Sequence, residues 1–257
     1  MKQYIRGYDL ATCGLRPGTG LGVAQKCLRA SRRLWSQHGA QPKADVATRK
    51  IISRNRRFLI APIPKVGTKT LKVMLQTLDA EKKGGADIAF VHAPLHACLA
   101  ELEPDYTVFS LVRNPWSRVL SCYRNKVLSS RLGDLAICSR YPDLSPVMSF
   151  PEFVRWLGSE HGRDDVADRH WISQTRLLSD PETGRLLCTK IGKFERFKAD
   201  IEDFLEEVGL GHLDVLHINR TGVSDDPHSY RSAYDAECRD IIARRYRQDI
   251  ETFGYSF

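Results

Sequence analysis

Phe58, Leu59, Ile60 and Ala61 form an unbroken apolar run, the pattern of a strand covered on both faces. The period changes directly after it. Leu71, Met74, Leu75 and Leu78 stand three and four residues apart and predict an amphipathic helix, which Gly84-Gly85 ends. IAFVH (88–92) and YTVFSLV (106–112) predict a second and a third strand. The third runs straight into Asn114-Pro115, an N-cap residue followed by proline at the first helical position. Trp116, Val119, Leu120, Tyr123 and Val127 then line one face of the helix so begun. Further on, the pattern predicts a helix at FPEFVRWLG, a strand at LLCTKIGKF (186–194), a helix showing Ile201, Phe204, Leu205 and Val208, and a last helix carrying Cys238, Ile241, Ile242 and Tyr246. Strand and helix alternating across short turns predict an α/β fold, a parallel sheet sandwiched between helices in a single domain. Residues 129–150 gain Ser, Pro and Gly and read as a long loop. Residues 1–55 keep no sustained period apart from KCLRASRRLW (26–35), so they read as an N-terminal extension, with order beginning at Arg57 and the domain covering 56–257.

Composition narrows the class. An apolar content of 42% in 257 residues supports one good core. The longest apolar runs fall far short of the roughly 20 residues of a membrane-spanning helix, and the N-terminus lacks the apolar stretch of a secretory signal. The sequence therefore reads as a soluble cytoplasmic protein without a transmembrane segment. A formal net charge of +8 favours an anionic ligand without choosing among nucleotide, polysaccharide and nucleic acid. Cysteines at 13, 27, 98, 122, 138, 188 and 238 include no CxxC pair and no histidine at zinc-finger spacing. They read as reduced thiols used as small apolar residues, with no disulfide framework and no metal site.

Two segments carry chemistry. PKVGTKT (64–70) lies between a buried strand and a helix, where a glycine-containing turn exposes backbone N–H groups at a helix N-terminus to phosphate or sulfate oxygens. Lys65 and Lys69 add full charges. The strand, loop and helix are P-loop-like in order, although Thr68 separates Gly67 from Lys69, so the Walker A spacing is not met. An ordinary strand-to-helix turn with solvated lysines accounts for this loop taken alone. RNPWSRVLSCYRNK (113–126) follows the third strand. Arg113 sits at the strand's carboxyl end, where open α/β sheets bind ligands, and Ser121 lies about two turns into the helix on the same side.

In order and context the two segments resemble the phosphosulfate loop and the 3′-phosphate motif of sulfotransferases that use 3′-phosphoadenosine-5′-phosphosulfate (PAPS). KIGKFERFKADIEDFLEEVGL (190–210) and the ending YRQDIETFGYSF are similar to the carbohydrate sulfotransferases of family 2. The resemblance covers residues 57–257. It implies a sulfotransferase domain in which Lys65 contacts the oxygen bridging phosphate and sulfate, Gly67, Thr68, Lys69 and Thr70 cradle the 5′-phosphate, and Arg113 and Ser121 hold the 3′-phosphate. NRTG (219–222) is similar to a late loop of that family, which makes Arg220 a third contact. Arg118 reads equally well as structural.

A hydroxyl that attacks sulfur must lose its proton, and a base with a pKa near the operating pH does this best. His92 ends the second strand on the ligand side, and in sugar 2-O-sulfotransferases of this clan a histidine at a similar place is the base. His96 and His170, in DRHWISQ, are rivals, and Trp171 reads as a sugar platform or a core residue. The reading is a sulfotransferase acting on a carbohydrate or other hydroxyl acceptor, with PAPS as donor, no metal and no nucleic-acid partner. Two alternatives stand beside it. A P-loop-type kinase would want an Asp for Mg²⁺ at the end of the central strand, where this chain has Arg113. A non-enzymatic basic glycan-binding module leaves the paired anion motifs without a purpose. Arg131, Arg140, Arg155, Arg163, Arg169 and Arg176 suggest an acidic acceptor, or a solvated surface.

Overall fold

The computed structural model describes residues 4–5, 8–9, 44–80, 88–128, 137, 140–141, 144–215 and 228–257, with the backbone alone for 4–5, 8–9 and 75–80. A two-residue ribbon pairs β1 (Tyr4–Ile5) with β2 (Tyr8–Asp9). The main sheet has five strands, β3 (Thr48–Ser53), β4 (Phe58–Ile60), β5 (Ile88–Ala93), β6 (Thr107–Val112) and β7 (Lys190–Lys193), in the order β5-β3-β4-β6-β7. The helices are α1 (Thr68–Ala80), α2 (Leu95–Leu99), α3 (Pro115–Cys122), α4 (Phe150–Gly158), α5 (Gln174–Leu178), α6 (Phe197–Glu207), α7 (Ala236–Arg245) and α8 (Arg247–Phe253).

The parallel pairing expected from the sequence is present in β4, β6 and β7. On the other side the sheet continues through β3, antiparallel to both β4 and β5. The sheet is therefore mixed, and it begins at Thr48, upstream of Arg57. TRKIIS hides its strand because charged residues occupy two of its six positions. Arg49 is exposed, whereas Lys50 is 1% exposed and buries its ammonium against neutral acceptors: Thr48 Oγ1 at 2.6 Å, Thr48 O at 3.2 Å and Ala93 O at 2.9 Å. Burial without a carboxylate holds that amine down to about 8. Because β3 reverses direction twice over, β5 runs the same way as β4, and both end on one side of the sheet.

Phe58, Leu59, Ile60 and Phe109 have no exposed surface and form the floor of the core. Phe204 of α6 stacks on Phe109 at 4.3 Å and meets Phe58 edge-on at 5.7 Å, which fixes α6 to the sheet. Asn114 caps α3 as expected, its Oδ1 accepting from the Trp116 and Ser117 amides. A capping box between Ser149 and Glu152 starts α4 where the sequence places it. The predicted final helix is two, α7 and α8, divided at Tyr246. Gly84-Gly85 and Cys13, Cys27 and Cys138 lie outside the described residues, as does most of the N-terminal extension. Cys98, Cys122, Cys188 and Cys238 are free thiols. Among the described residues no helix is long and apolar enough to cross a membrane.

Candidate anion-binding active site

The chain leaves β4 with its register fixed to β6: the Ala61 amide donates to Phe109 O at 2.8 Å and Ser110 Oγ donates to Ala61 O at 2.6 Å. It then turns through two left-handed residues, Lys65 at φ 74° and Gly67 at φ 68°, before α1 begins. A lysine in that region is strained by about 1 kcal/mol or more, and such strain is tolerated where surrounding structure fixes it. Gly67 is required twice over, since a Cβ there would lie 2.4 Å from the Phe197 ring. The alternation bends the loop into a concavity at the start of α1, where the Thr70 and Leu71 amides already donate to Gly67 O, at 3.0 and 3.3 Å, and the amides before them are the ones left to face a ligand. Thr68 spends its hydroxyl on Ile63 O at 2.8 Å, so it offers an amide rather than a side chain. Thr70 is buried beneath the loop and Lys69 is exposed at its rim.

Arg113 emerges from β6 into the same place. Its Nη1 donates to Lys65 O at 3.1 Å, its Nε donates to Ser117 Oγ at 3.0 Å, and its guanidinium lies 4.4 Å above the Phe194 ring. Ser117 is a contact the sequence reading missed. Ser121, one turn further along α3, is half-buried, and its hydroxyl has no hydrogen-bond partner among the described residues. Burial, with the charges of Lys126, Arg113 and Lys69, holds the Lys65 ammonium down to about 8, and burial holds the Arg113 guanidinium down to about 10. Both groups thus carry charge at a cost that an anionic ligand would relieve. Arg220 lies outside the described residues.

Buried polar contacts hold Arg113 from behind. Gln174 exchanges two hydrogen bonds with its backbone, accepting from Arg113 N at 2.9 Å and donating to Arg113 O at 2.8 Å. Gln174 and Thr175 in turn donate their amides to the fully buried carboxylate of Asp249, both at 2.8 Å. From the other side Glu195 accepts from the Asn114 amide and from Tyr255, while Asn114 Nδ2 donates to Ser256 O. Arg118 is structural: 2% exposed, it donates to Pro64 O, Ile172 O and Arg169 O. It ties the loop before Lys65 to the segment that carries His170. Beyond α3 the chain makes a π-helical turn, Tyr123–Val127, of the kind that often re-aims side chains at functional sites. Its Lys126 lies near enough to Lys65 and His170 for its charge to lower both pKa values.

The three candidate histidines differ. His92 is exposed at the end of β5, its Nε2 2.8 Å from Arg169 Nη1, and Arg169 also pairs with Asp45 at 2.8 Å. His96 lies on the exposed face of α2. His170 is half-buried, with Nδ1 2.5 Å from Oδ1 of Asp168, a carboxylate that is 2% exposed. Burial pushes the Asp168 pKa up, but its hydrogen bonds from His170 and the nearby charges outweigh this and leave it below the usual carboxylate value. Trp171 has no exposed surface and packs edge-on against Tyr141 and Trp156, so it is a core residue and not a sugar platform. Arg155 and Arg163 are paired with Glu237 and Asp165, and Arg131 lies outside the described residues.

Comparison with known proteins places the chain among sulfotransferases. The mouse (Mus musculus) carbohydrate sulfotransferase 14 is 30% identical over 179 residues, covering 62% of this chain and 46% of that protein. Carbohydrate sulfotransferase 10 of Pongo abelii is 24% identical over 253 residues, 82% of this chain and 67% of that protein. A zebrafish (Danio rerio) carbohydrate sulfotransferase 14 is 26% identical over 247 residues, 86% of this chain and 66% of that protein. The chain thus spans about half the length of the first of these relatives and two thirds of the others. No solved structure gives a significant match. The family model described as "Sulfotransferase family" matches residues 48–256, from the first residue of β3 to the C-terminal tail, and the chain belongs to that family.

Proposed function

We propose that this chain transfers a sulfuryl group from PAPS to a hydroxyl of a carbohydrate. The observation that carries the reading is the joining of the two anion motifs: Arg113 donates to the carbonyl of Lys65, and Lys65 has no carboxylate partner among the described residues. Two half-buried cations, Lys65 with no carboxylate among the described residues and Arg113 with only the charge of Glu195 nearby, at the N-terminus of α1 suit a donor that bears phosphates at both ends of its ribose. Lys65, the loop amides from Gly67 to Lys69 and the Lys69 side chain would receive the 5′-phosphosulfate, with Thr70 closing the loop beneath them through its amide bond to Gly67 O. Arg113, Ser121 and, from the 219–222 segment, Arg220 would receive the 3′-phosphate. Lys65 would stabilise the charge that grows on the bridging oxygen as the sulfur–oxygen bond breaks. The glycan acceptor is supported by the likeness to carbohydrate sulfotransferases 10 and 14. The likeness does not extend to the sugar or to the position modified.

The test is calorimetry with adenosine 3′,5′-bisphosphate (PAP), with and without chelator, followed by incubation with labelled PAPS and a glycan panel. Metal-independent PAP binding and label on a glycan are expected. Binding that appears only with Mg²⁺ and prefers ATP would hand the site to a kinase.

A further inference from the structure

We propose that His170, oriented by Asp168, is the general base that takes the proton of the acceptor hydroxyl at its Nε2. The inference rests on the sulfuryl-transfer reading and assigns a group within it. Asp168 Oδ1 accepts from the His170 backbone amide at 2.9 Å and lies 2.5 Å from its ring Nδ1, so the carboxylate holds the residue by one backbone and one ring contact, and an ionised carboxylate there favours the proton on Nδ1. Nε2 is then a bare lone pair, and it has no partner among the described residues. A carboxylate behind one ring nitrogen with a free lone pair on the other is the arrangement by which imidazole accepts protons in hydrolases.

Position supports the assignment. One guanidinium, Arg118, donates to Pro64 O, the carbonyl before Lys65, and to Arg169 O and Ile172 O, which flank His170 in sequence. The donor loop and the His170 segment are therefore held against the same buried cation. The groups whose charge reaches His170 are Asp168, Lys126 and Lys65, with Arg140 4.0 Å from the far oxygen of Asp168. Burial lowers the imidazole pKa, Asp168 raises it, Lys126 and Lys65 lower it again, and the net direction is down, toward the neutral ring.

His92 is arranged oppositely. A guanidinium only donates, so Arg169 occupies the Nε2 lone pair of His92 that an acceptor proton would need. In the step itself, the acceptor O–H proton passes to His170 Nε2 while the acceptor oxygen bonds to sulfur. The bond from sulfur to the bridging oxygen breaks, its electron pair stays on the 5′-phosphate beside Lys65, and the imidazolium later releases its proton to water.

Two measurements on the full chain test this. Two-bond ¹H–¹⁵N correlation spectra of the wild type should show His170 as the Nδ1–H tautomer at pH 7, titrating below the ordinary imidazole value. An Nε2–H tautomer overturns the proposal without any variant being made. In single-turnover assays with labelled PAPS and desulfated chondroitin and heparosan as probes, His170→Ala should lower the rate by about 10² or more, while PAP affinity stays within about twofold because no phosphate contact is lost. Added imidazole should restore part of that rate, and Asp168→Asn should displace the acid limb of the pH profile. His92→Ala is expected to lose at least about tenfold less than His170→Ala. The reverse order, or full turnover by His170→Ala, refutes the assignment while leaving sulfuryl transfer intact. A wild type that binds no PAP and labels no glycan removes the parent reading instead, and the two failures are told apart by the PAP isotherm.

Discussion

The donor side and the acceptor side of the site are built by different means. The donor side is local: one loop of seven residues, one strand end and the first turns of one helix, with its chemistry in backbone amides and in side chains close in sequence. The region around His170 is assembled from segments far apart in the chain: Asp45 and His92 meet the Arg169 side chain, and Arg118 bonds to the carbonyls of Pro64, Arg169 and Ile172, while Gln174 and Asp249 brace the Arg113 backbone from behind. A local site fails when its own residues change. An assembled one fails when its struts change, even though the struts touch no substrate.

The largest expected effect is local. Lys65→Ala should reduce single-turnover sulfation at saturating PAPS by about 10² to 10³, roughly 3 to 4 kcal/mol, because a cation at the bridging oxygen acts mainly in the transition state. Arg113→Ala should chiefly weaken PAP binding, since a ground-state phosphate partner is removed. Wild-type turnover by Lys65→Ala would take the donor chemistry away from this lysine. Among struts, Arg118→Ala should cost about 3 kcal/mol in urea unfolding, as three backbone carbonyls lose a charged donor. An unchanged midpoint would mean that the two sides are not joined through this residue.

Asp249→Asn tests a longer strut. The carboxylate accepts the amides of Gln174 and Thr175, and an amide NH₂ turned toward either would meet a donor with a donor. PAP affinity should fall by about tenfold through Gln174 and the Arg113 backbone, with no contact to the nucleotide altered. Unchanged PAP affinity in a folded variant would confine Asp249 to packing.

Legibility followed the same division. PKVGTKT, the Asn114-Pro115 cap and the helical faces of α3 and α6 were readable because period, capping and spacing are local properties. β3 was not, because Lys50 is buried against neutral carbonyls that only the folded sheet provides. Ser117 carries no signal that sets it apart from Ser121 one turn later, because its contact is made by the folded Arg113 side chain. The Asp168–His170 pair had a signal in its i, i+2 spacing, yet nothing in the sequence says that Trp171 turns inward while His170 faces Lys126 and Lys65. Gln174 and Asp249 carry no local signal at all.

The pH profile sharpens the comparison, since each side contributes one limb. The donor side needs Lys65 charged. In the free enzyme its pKa is about 8, so kcat/KM for PAPS should be fully expressed below that value and fall by about tenfold per pH unit well above it. The limb in kcat should lie at higher pH, because a bound polyanion favours the ammonium. Lys65→Arg should remove the alkaline limb, since guanidinium stays charged across the range. A limb near pH 8 that persists in Lys65→Arg would belong to another group.

The smallest expected effect concerns charge at the acceptor rim. Arg155 donates in a bidentate manner to Glu237, so its charge is matched and little field remains to draw an anionic glycan. Arg140 is exposed, and its nearest carboxylate contact is Asp168 at 4.0 Å, an acid already held by His170. An anionic acceptor approaching His170 would therefore sense Arg140 more than Arg155. Arg140→Ala should raise KM for an anionic glycan by about threefold to fivefold at low salt, and the difference should shrink as ionic strength rises, because exposed charges are screened within about 10 Å at 0.1 M. Arg155→Ala should move KM by less than about twofold, as expected for an exposed pair. Equal effects from the two substitutions would show that the acceptor is drawn by the overall positive charge of the surface and not by the rim beside His170.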